Sequence, residues 1–437
     1  MQFHVMTLFP EMIAQGLANS ITGRALREKL ISLNCVNIRD YSDNRHGKVD
    51  DYSYGGGAGM LIQAEPVYQC YQNLLSQIPD GHKKRVIYVT PQGRPFCQEI
   101  AEELVKNDDL IFLCGHYEGV DERVLEEIVT DDISIGDYVL NGGEVAAMVL
   151  TEAVARLLEG FMGNPDSLVE ESHSGAGLLE YPVFTKPREF RSLEIPEVLL
   201  GGNHAAIERW RRDRAIEKTV AVRPDLALSL DAGALSGDDR AMLAACGVAY
   251  PAAGAAERLD VRQAELEDVV AVSELAARTF PDACPENLPQ EAIDEHIATQ
   301  LSADVFDALI SDPERHRLFV AEVWGGLVGY VLTHVGPDAL PSDLVRPGRV
   351  EAGSAYLSKC YVDAAWRGSG IADVLLERAV ADAATAGHRA IVLGTNRGNK
   401  AAQAFYKKHG FRKRSTRTFE VGGVTNYDVV MVRDLTA

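Results

Sequence analysis

Three short stretches near the start of the chain have the residue types and spacing to hold a flat heterocycle by its edge. In Ser134–Glu144, SIGDYVLNGGE, Gly136 and the pair Gly142-Gly143 flank the apolar run Tyr138-Val139-Leu140. Glycine serves where a backbone must turn tightly or lie close to another group. Backbone N–H and C=O groups left exposed at such turns pair with a heterocycle. The apolar run predicts a buried strand edge, not a solvent loop, although an ordinary strand–turn–helix joint reads the same way. Upstream, YVTPQGR (Tyr88–Arg94) and CGHYEGVDERV (Cys114–Val124) each follow or close an apolar run and then break at glycine. Three such strand ends, separated by helical patterns, predict a parallel sheet whose carboxyl ends gather at one site. The polar loop Arg45–Met60, RHGKVDDYSYGGGAGM, is also glycine-rich. No Gly-Lys-Ser/Thr follows, which excludes a nucleotide P-loop.

These stretches, with DYSYGGGAGM, GLLEYPVFTKP and GGNHAAIERWRRD in the same order, resemble the bacterial tRNA (guanine-N1)-methyltransferases of the SPOUT class over about Met1–Leu243. The resemblance implies a trefoil-knotted domain, a threading that no residue pattern reveals. It implies S-adenosyl-L-methionine as methyl donor, a tRNA anticodon stem-loop as partner, and N1 of guanosine 37, preceded by guanosine, as the target. It implies a homodimer in which the lid of one subunit closes over the donor of the other. By position, donor contacts fall on Gly115, Ile135, Gly136, Asp137, Tyr138, Val139 and Leu140, with Tyr88, Thr90 and Pro91 as pocket wall. The loop Arg45–Met60 is expected near the target guanine and the tRNA. Arg156 matches the cation that steadies negative charge on the guanine. Glu171, before Ser172, stands where the family usually has an aspartate base, and Glu170 beside it is the alternative. The role of His116 stays open.

The second half has a different style. Leu318–Val323 and Leu327–Val335 predict a hairpin across Gly325-Gly326. The strand Ala355–Val362 leads into Arg367-Gly368-Ser369-Gly370-Ile371-Ala372, and NKAAQAFYKKHGF follows at Asn399–Phe411. These motifs resemble GNAT-type N-acetyltransferases over about Leu259–Arg433. The resemblance implies acetyl-CoA, its diphosphate held by Arg367–Ala372 at a helix N-terminus, where backbone N–H groups favour an anion. Tyr406 stands where the family often has a general acid, and it also reads as a core aromatic. No acetyl acceptor is readable, because that pocket varies across the fold.

The elements that must position these residues follow from length and composition. A chain of 437 residues predicts two or more domains. The fold class expected is α/β: a knotted N-terminal domain at 1–163, a lid or linker at 164–177, a helical tRNA-binding subdomain at 178–245, an Ala/Gly/Pro linker at 246–257, and a separate α+β acetyltransferase domain at 258–437. Net charge is −21, which taken crudely argues against nucleic acid. The charge is uneven, however. Glu99–Asp132 is acidic, whereas Trp210–Arg214 reads WRRDR and six bases cluster between Arg24 and Lys48. The seven cysteines show no Cys-x-x-Cys pair, which predicts reduced thiols in a cytoplasm and no metal framework. No apolar run reaches about 18 residues, so no membrane span is expected. Two rival readings are a catalytically spent knot that only binds RNA or dimerises, and an acetyltransferase-like half that senses acetyl-CoA without transferring it.

Overall fold

The computed structural model describes residues 1–163, 171–173, 177–284, 288–344, 350, 353–421 and 424–435. The chain divides into two compact units, Met1–Gly175 and Ala176–Ala437. Most of the expected lid and the alternative base Glu170 lie outside the described residues.

The first unit is built on a parallel sheet. Its strands are β1 (Gln2–Thr7), β2 (Ser32–Asn37), β5 (Lys84–Pro95), β6 (Asp109–Cys114) and β7 (Asp131–Ser134), in the order β2-β1-β6-β5-β7. A small pair, β3 (Asp50–Asp51) with β4 (Leu61–Ile62), brackets the glycine-rich loop. Alternate residues of each strand feed opposite faces. Phe3, Val5, Ile87, Val89 and Phe112 pack on one side against α1 (Pro10–Leu17), α2 (Ser20–Arg27), α4 (Gln98–Leu104) and α6 (Glu144–Ala155). Met6, Val86, Ile111 and Leu113 pack on the other against α3 (Ala64–Leu75) and α5 (Glu122–Ile128). β5 is central to the site, because it lies between β6 and β7 with parallel register to both. The three glycine turns therefore leave one end of adjacent strands.

The second unit joins a helical part to a mixed sheet. A short hairpin, β8 (Glu189–Phe190) with β9 (Leu193–Glu194), precedes α7 (His204–Val222), α8 (Pro224–Leu228) and α9 (Gly237–Ala245). α9 starts on the capping box of Ser236 and Asp239 that the spacing predicts. The segment 246–257, expected as a linker, is built into the core instead. β10 (Val248–Ala249) pairs with β11 (Glu257–Arg258), and Val248, Ala249 and Tyr250 are buried. The Tyr250 hydroxyl donates to the Ala227 carbonyl at 2.7 Å. Its alanine and glycine content reads as a spacer, yet the four buried residues Val248–Pro251 anchor it.

The sheet runs β12-β13-β14-β15-β16-β18-β17, made of β12 (Asp260–Gln263), β13 (His316–Val323), β14 (Gly326–His334), β15 (Ala355–Val362), β16 (Ala390–Asn396), β17 (Arg412–Val421) and β18 (Val424–Asp434). One face packs on α10 (Val269–Thr279) and α12 (Ala303–Ser311), which follows α11 (Gln290–Gln300). The other packs on α13 (Ile371–Thr385) and α14 (Lys400–Lys408). Every pair is antiparallel except β15 with β16, which are parallel and matched only over Ala355–Leu357 and Ile391–Leu393. Beyond that the two strands part.

Candidate active site

The carboxyl ends of β5, β6 and β7 enclose one cleft of about 290 Å³, near the lower end of the ~300–1,000 Å³ typical of small-molecule sites. It is lined by Tyr88, Thr90 and Pro91 from the first turn, Gly115 from the second, and Ile135, Gly136, Tyr138, Val139 and Leu140 from the third. Nine of the ten residues expected in this pocket line it. The tenth, Asp137, is not among its lining residues.

Two glycines are needed for this geometry. A Cβ at Gly143 would lie 2.5 Å from Val89 Cγ2 and 2.8 Å from Cys114 Cα, so the start of α6 can settle on β5 and β6 only without a side chain. The Gly143 N–H donates to the Gly115 carbonyl at 3.0 Å and ties the second turn to the third. Gly136 has φ +145°, a conformation that L side chains rarely adopt.

The apolar run corrects the expectation drawn from it. Tyr138, Val139 and Leu140 are 55%, 83% and 41% exposed, and they follow β7 instead of forming a strand edge. They form a wall of the cleft, so their apolar character serves something that sits against them.

The polar support under the cleft was not legible in advance. Glu144, in the first turn of α6, is buried. It accepts from the Thr7 hydroxyl at 2.6 Å and pairs with His116 Nε2 at 2.8 Å. His116 thereby gains a place: it links the second turn to the helix that carries the third. Cys114, beneath it, is pushed well up in pKa by burial, then by Glu144, and stays a thiol.

Arg156 follows α6 and donates to Glu171 at 2.7 Å. The two residues expected to do the chemistry thus meet each other, and neither lines the cleft. The glycine-rich loop comes closer. Its Met60 carbonyl accepts from the Glu118 N–H at 3.0 Å, and Glu118 lines the cleft. A second, larger hollow lies against this loop, lined by Lys48, Asp51, Tyr52, Ser53, Tyr54 and Arg123 among others. Tyr52 and Tyr54 are 77% and 100% exposed.

The basic face expected on α7 is internally paired. Arg209 bonds Asp213 and, at 2.9 Å, Asp239. Arg212 reaches the same Asp239 at 3.3 Å, and Arg214 pairs with Glu217 at 2.6 Å. Arg211 stacks over Tyr181.

In the second unit, Arg367 and Gly368 are exposed, whereas Ser369, Gly370 and Ile371 are buried. Tyr406 is half-buried against Phe405 and Phe411. Burial pushes its hydroxyl well up, so it remains protonated.

A family model described as tRNA (Guanine-1)-methyltransferase TrmD matches residues 1–229, just over half of the chain. The chain belongs to this family. A second model, the acetyltransferase (GNAT) family, matches residues 270–411. The chain is 55% identical over 226 residues to a tRNA (guanine-N(1)-)-methyltransferase of Lachnospira eligens, covering 52% of this chain and 94% of that protein. It is 52% identical over 225 residues to the protein of the same name from Alkaliphilus oremlandii, covering 51% and 90%. With the Exiguobacterium sibiricum protein, also so named, it shares 52% identity over 243 residues, covering 56% and 96%. These relatives therefore span the methyltransferase part and stop before the acetyltransferase fold.

Among the described residues there is no group of three or more His, Cys, Asp or Glu able to hold a metal, and no helix long and apolar enough to cross a membrane. All seven cysteines are free.

Proposed function

We propose that the first part of the chain transfers a methyl group from S-adenosyl-L-methionine to N1 of guanosine 37 in tRNAs that carry guanosine before it, in the cytoplasm. The observation that carries this reading is the single cleft on three adjacent glycine turns, lined by nine residues foreseen for the donor. The residues present fit that donor. Tyr138, Val139 and Leu140 offer an apolar wall to its adenine, and turn backbone lies along the same wall. Glu118 and Glu122 also line the cleft and favour a positively charged sulfonium. Bound there, the donor supplies an activated methyl group.

The chain must do three things: align the target nitrogen with the methyl, take the N1 proton, and steady charge on O6. Glu171 is the acceptor for the proton, and Arg156 is the cation for O6. Their mutual bond, 2.7 Å long, holds the two side chains side by side. Because neither lines the cleft, the site is completed by a second copy, whose lid brings Glu171 over the donor. The hollow beside the glycine-rich loop, with exposed Tyr52 and Tyr54, is where we place the target guanosine and its neighbours.

Mass spectrometry of nucleosides from tRNA incubated with the donor tests this reading. The wild type yields 1-methylguanosine at position 37. Glu171→Gln lowers the rate about 10²–10⁴-fold, the range for losing a general base. A Gln variant that methylates at the wild-type rate would remove Glu171 from the chemistry, and absence of the product from wild-type digests would remove the function.

For the second fold, the reading supported best is an N-acetyltransferase that takes acetyl-CoA and an amine. The parting of β15 and β16 supports it, since an extended acyl carrier can lie between separated strands. Within the loop Arg367–Ala372, α9 lies against Gly370.

A further inference from the structure

α9 belongs to the helical part of the second unit, yet it packs on the start of α13. A Cβ built at Gly370 would lie 2.6 Å from both Ala241 Cα and the Arg240 carbonyl oxygen. The glycine in the middle of the diphosphate motif is therefore in backbone contact with α9, with no room between them. Ala244 of α9 shares an apolar cluster with Ile371 and Leu375 of α13. At the edge, Lys408 of α14 pairs with Asp238 of α9 at 3.1 Å and lies 3.8 Å from Asp373 in the first turn of α13.

The cations beside that end are already paired within the chain, Lys408 with Asp238 and Asp373 and His409 with Asp373. A helix N-terminus attracts an anion through its dipole. Here Asp238 and Asp373 already bring two carboxylates to that end, and Lys408 is engaged with both. If α9 lifts, Asp238 leaves with it, the backbone at Gly370 is uncovered, and Lys408 becomes free to face a phosphate.

We propose that α9 and the diphosphate of acetyl-CoA compete for the loop Arg367–Ala372, so that α9 is a latch over the cofactor site. The proposal rests on the acetyl-CoA reading of this fold. The latch has a second side. Asp239, the residue after Asp238, holds Arg209 and Arg212 of α7, so lifting α9 alters the basic helix as well as the loop.

The test is hydrogen exchange of the full chain with and without acetyl-CoA, with calorimetric titration of the wild type and Asp238→Ala. Competition predicts that the ligand slows exchange at 368–373 and speeds it at 237–245, by about tenfold or more at the latter, as expected when a packed helix opens. It also predicts that Asp238→Ala binds acetyl-CoA about two- to fivefold more tightly, the size of one exposed ion pair. Protection of both segments, or binding with α9 unchanged, would overturn the latch while leaving the acetyl-CoA reading intact. Absence of binding in both forms would overturn the two together.

Discussion

Glu144 is the residue on which the cleft rests, although it does not line it. It is buried, and its partners Thr7 and His116 come from the end of β1 and the turn after β6. A buried carboxylate is tolerated only when hydrogen-bonded, and its removal strands the groups that bonded it. Glu144→Ala is expected to lower stability by about 1–3 kcal/mol, read as a fall in thermal midpoint, and to weaken donor binding in a titration. Unchanged donor affinity would make the network purely structural. This residue was hidden in the sequence, because glutamate in the first turn of a helix is commonplace. Thr7 stands 137 positions away from it, and no spacing rule connects them. The meeting of the three turns was legible for the opposite reason: each follows a strand end marked by glycine. Tyr138, Val139 and Leu140 misled on burial, since an apolar run looks the same whether it packs on a core or waits for a ligand.

The strands were the most legible elements. Runs such as Leu110–Cys114 are apolar throughout, as a strand covered on both faces must be. The linker reading of 246–257 failed because alanine and glycine carry little pattern, whereas Val248 and Tyr250 decide the packing. The pairing of α13 with α14 was also invisible in sequence, and it has a pH signature. His409, just after α14, bonds Asp373 at 3.0 Å and Glu377 at 2.8 Å, and these carboxylates raise its pKa from 6.5 to about 9. A pKa raised on folding stabilises below the unfolded value and loses that contribution as pH rises through the folded one. The stabilisation is thus complete below about pH 6.5 and gone above about pH 9. Thermal melts of the second unit's transition are expected to fall across this window in the wild type and to fall less in His409→Gln. Parallel pH profiles for the two proteins would contradict this assignment.

At the scale of the molecule, the family match ends at residue 229, inside the unit that begins at Ala176. The helical part of the methyltransferase family therefore folds into one body with the acetyltransferase-like sheet, which is what allows α9 to meet Gly370. The motif order disclosed both families, but nothing in the residues announced that contact, because Gly370 lies inside the second family's match and Ala241 lies between the two matches. Arg156 and Glu171 do not line the cleft, and the proposed dimer would bring Glu171 to it from a second copy. Co-expression of Glu171→Gln with Ile135→Arg, which fills the cleft, tests this. Random pairing puts one intact composite site in half of the dimers, so about a quarter of wild-type methylation returns if the lid acts across the interface. Recovery of none would place Glu171 over its own chain's cleft.

In the proposed function, three glycine turns of one sheet grip the methyl donor. A crystal structure of the full chain grown with S-adenosylhomocysteine tests it most directly. Adenosine density is expected between Tyr88, Gly115 and the segment Ile135–Leu140. Density for the ligand anywhere else, or a cleft closed by its own side chains with the ligand excluded, would contradict it.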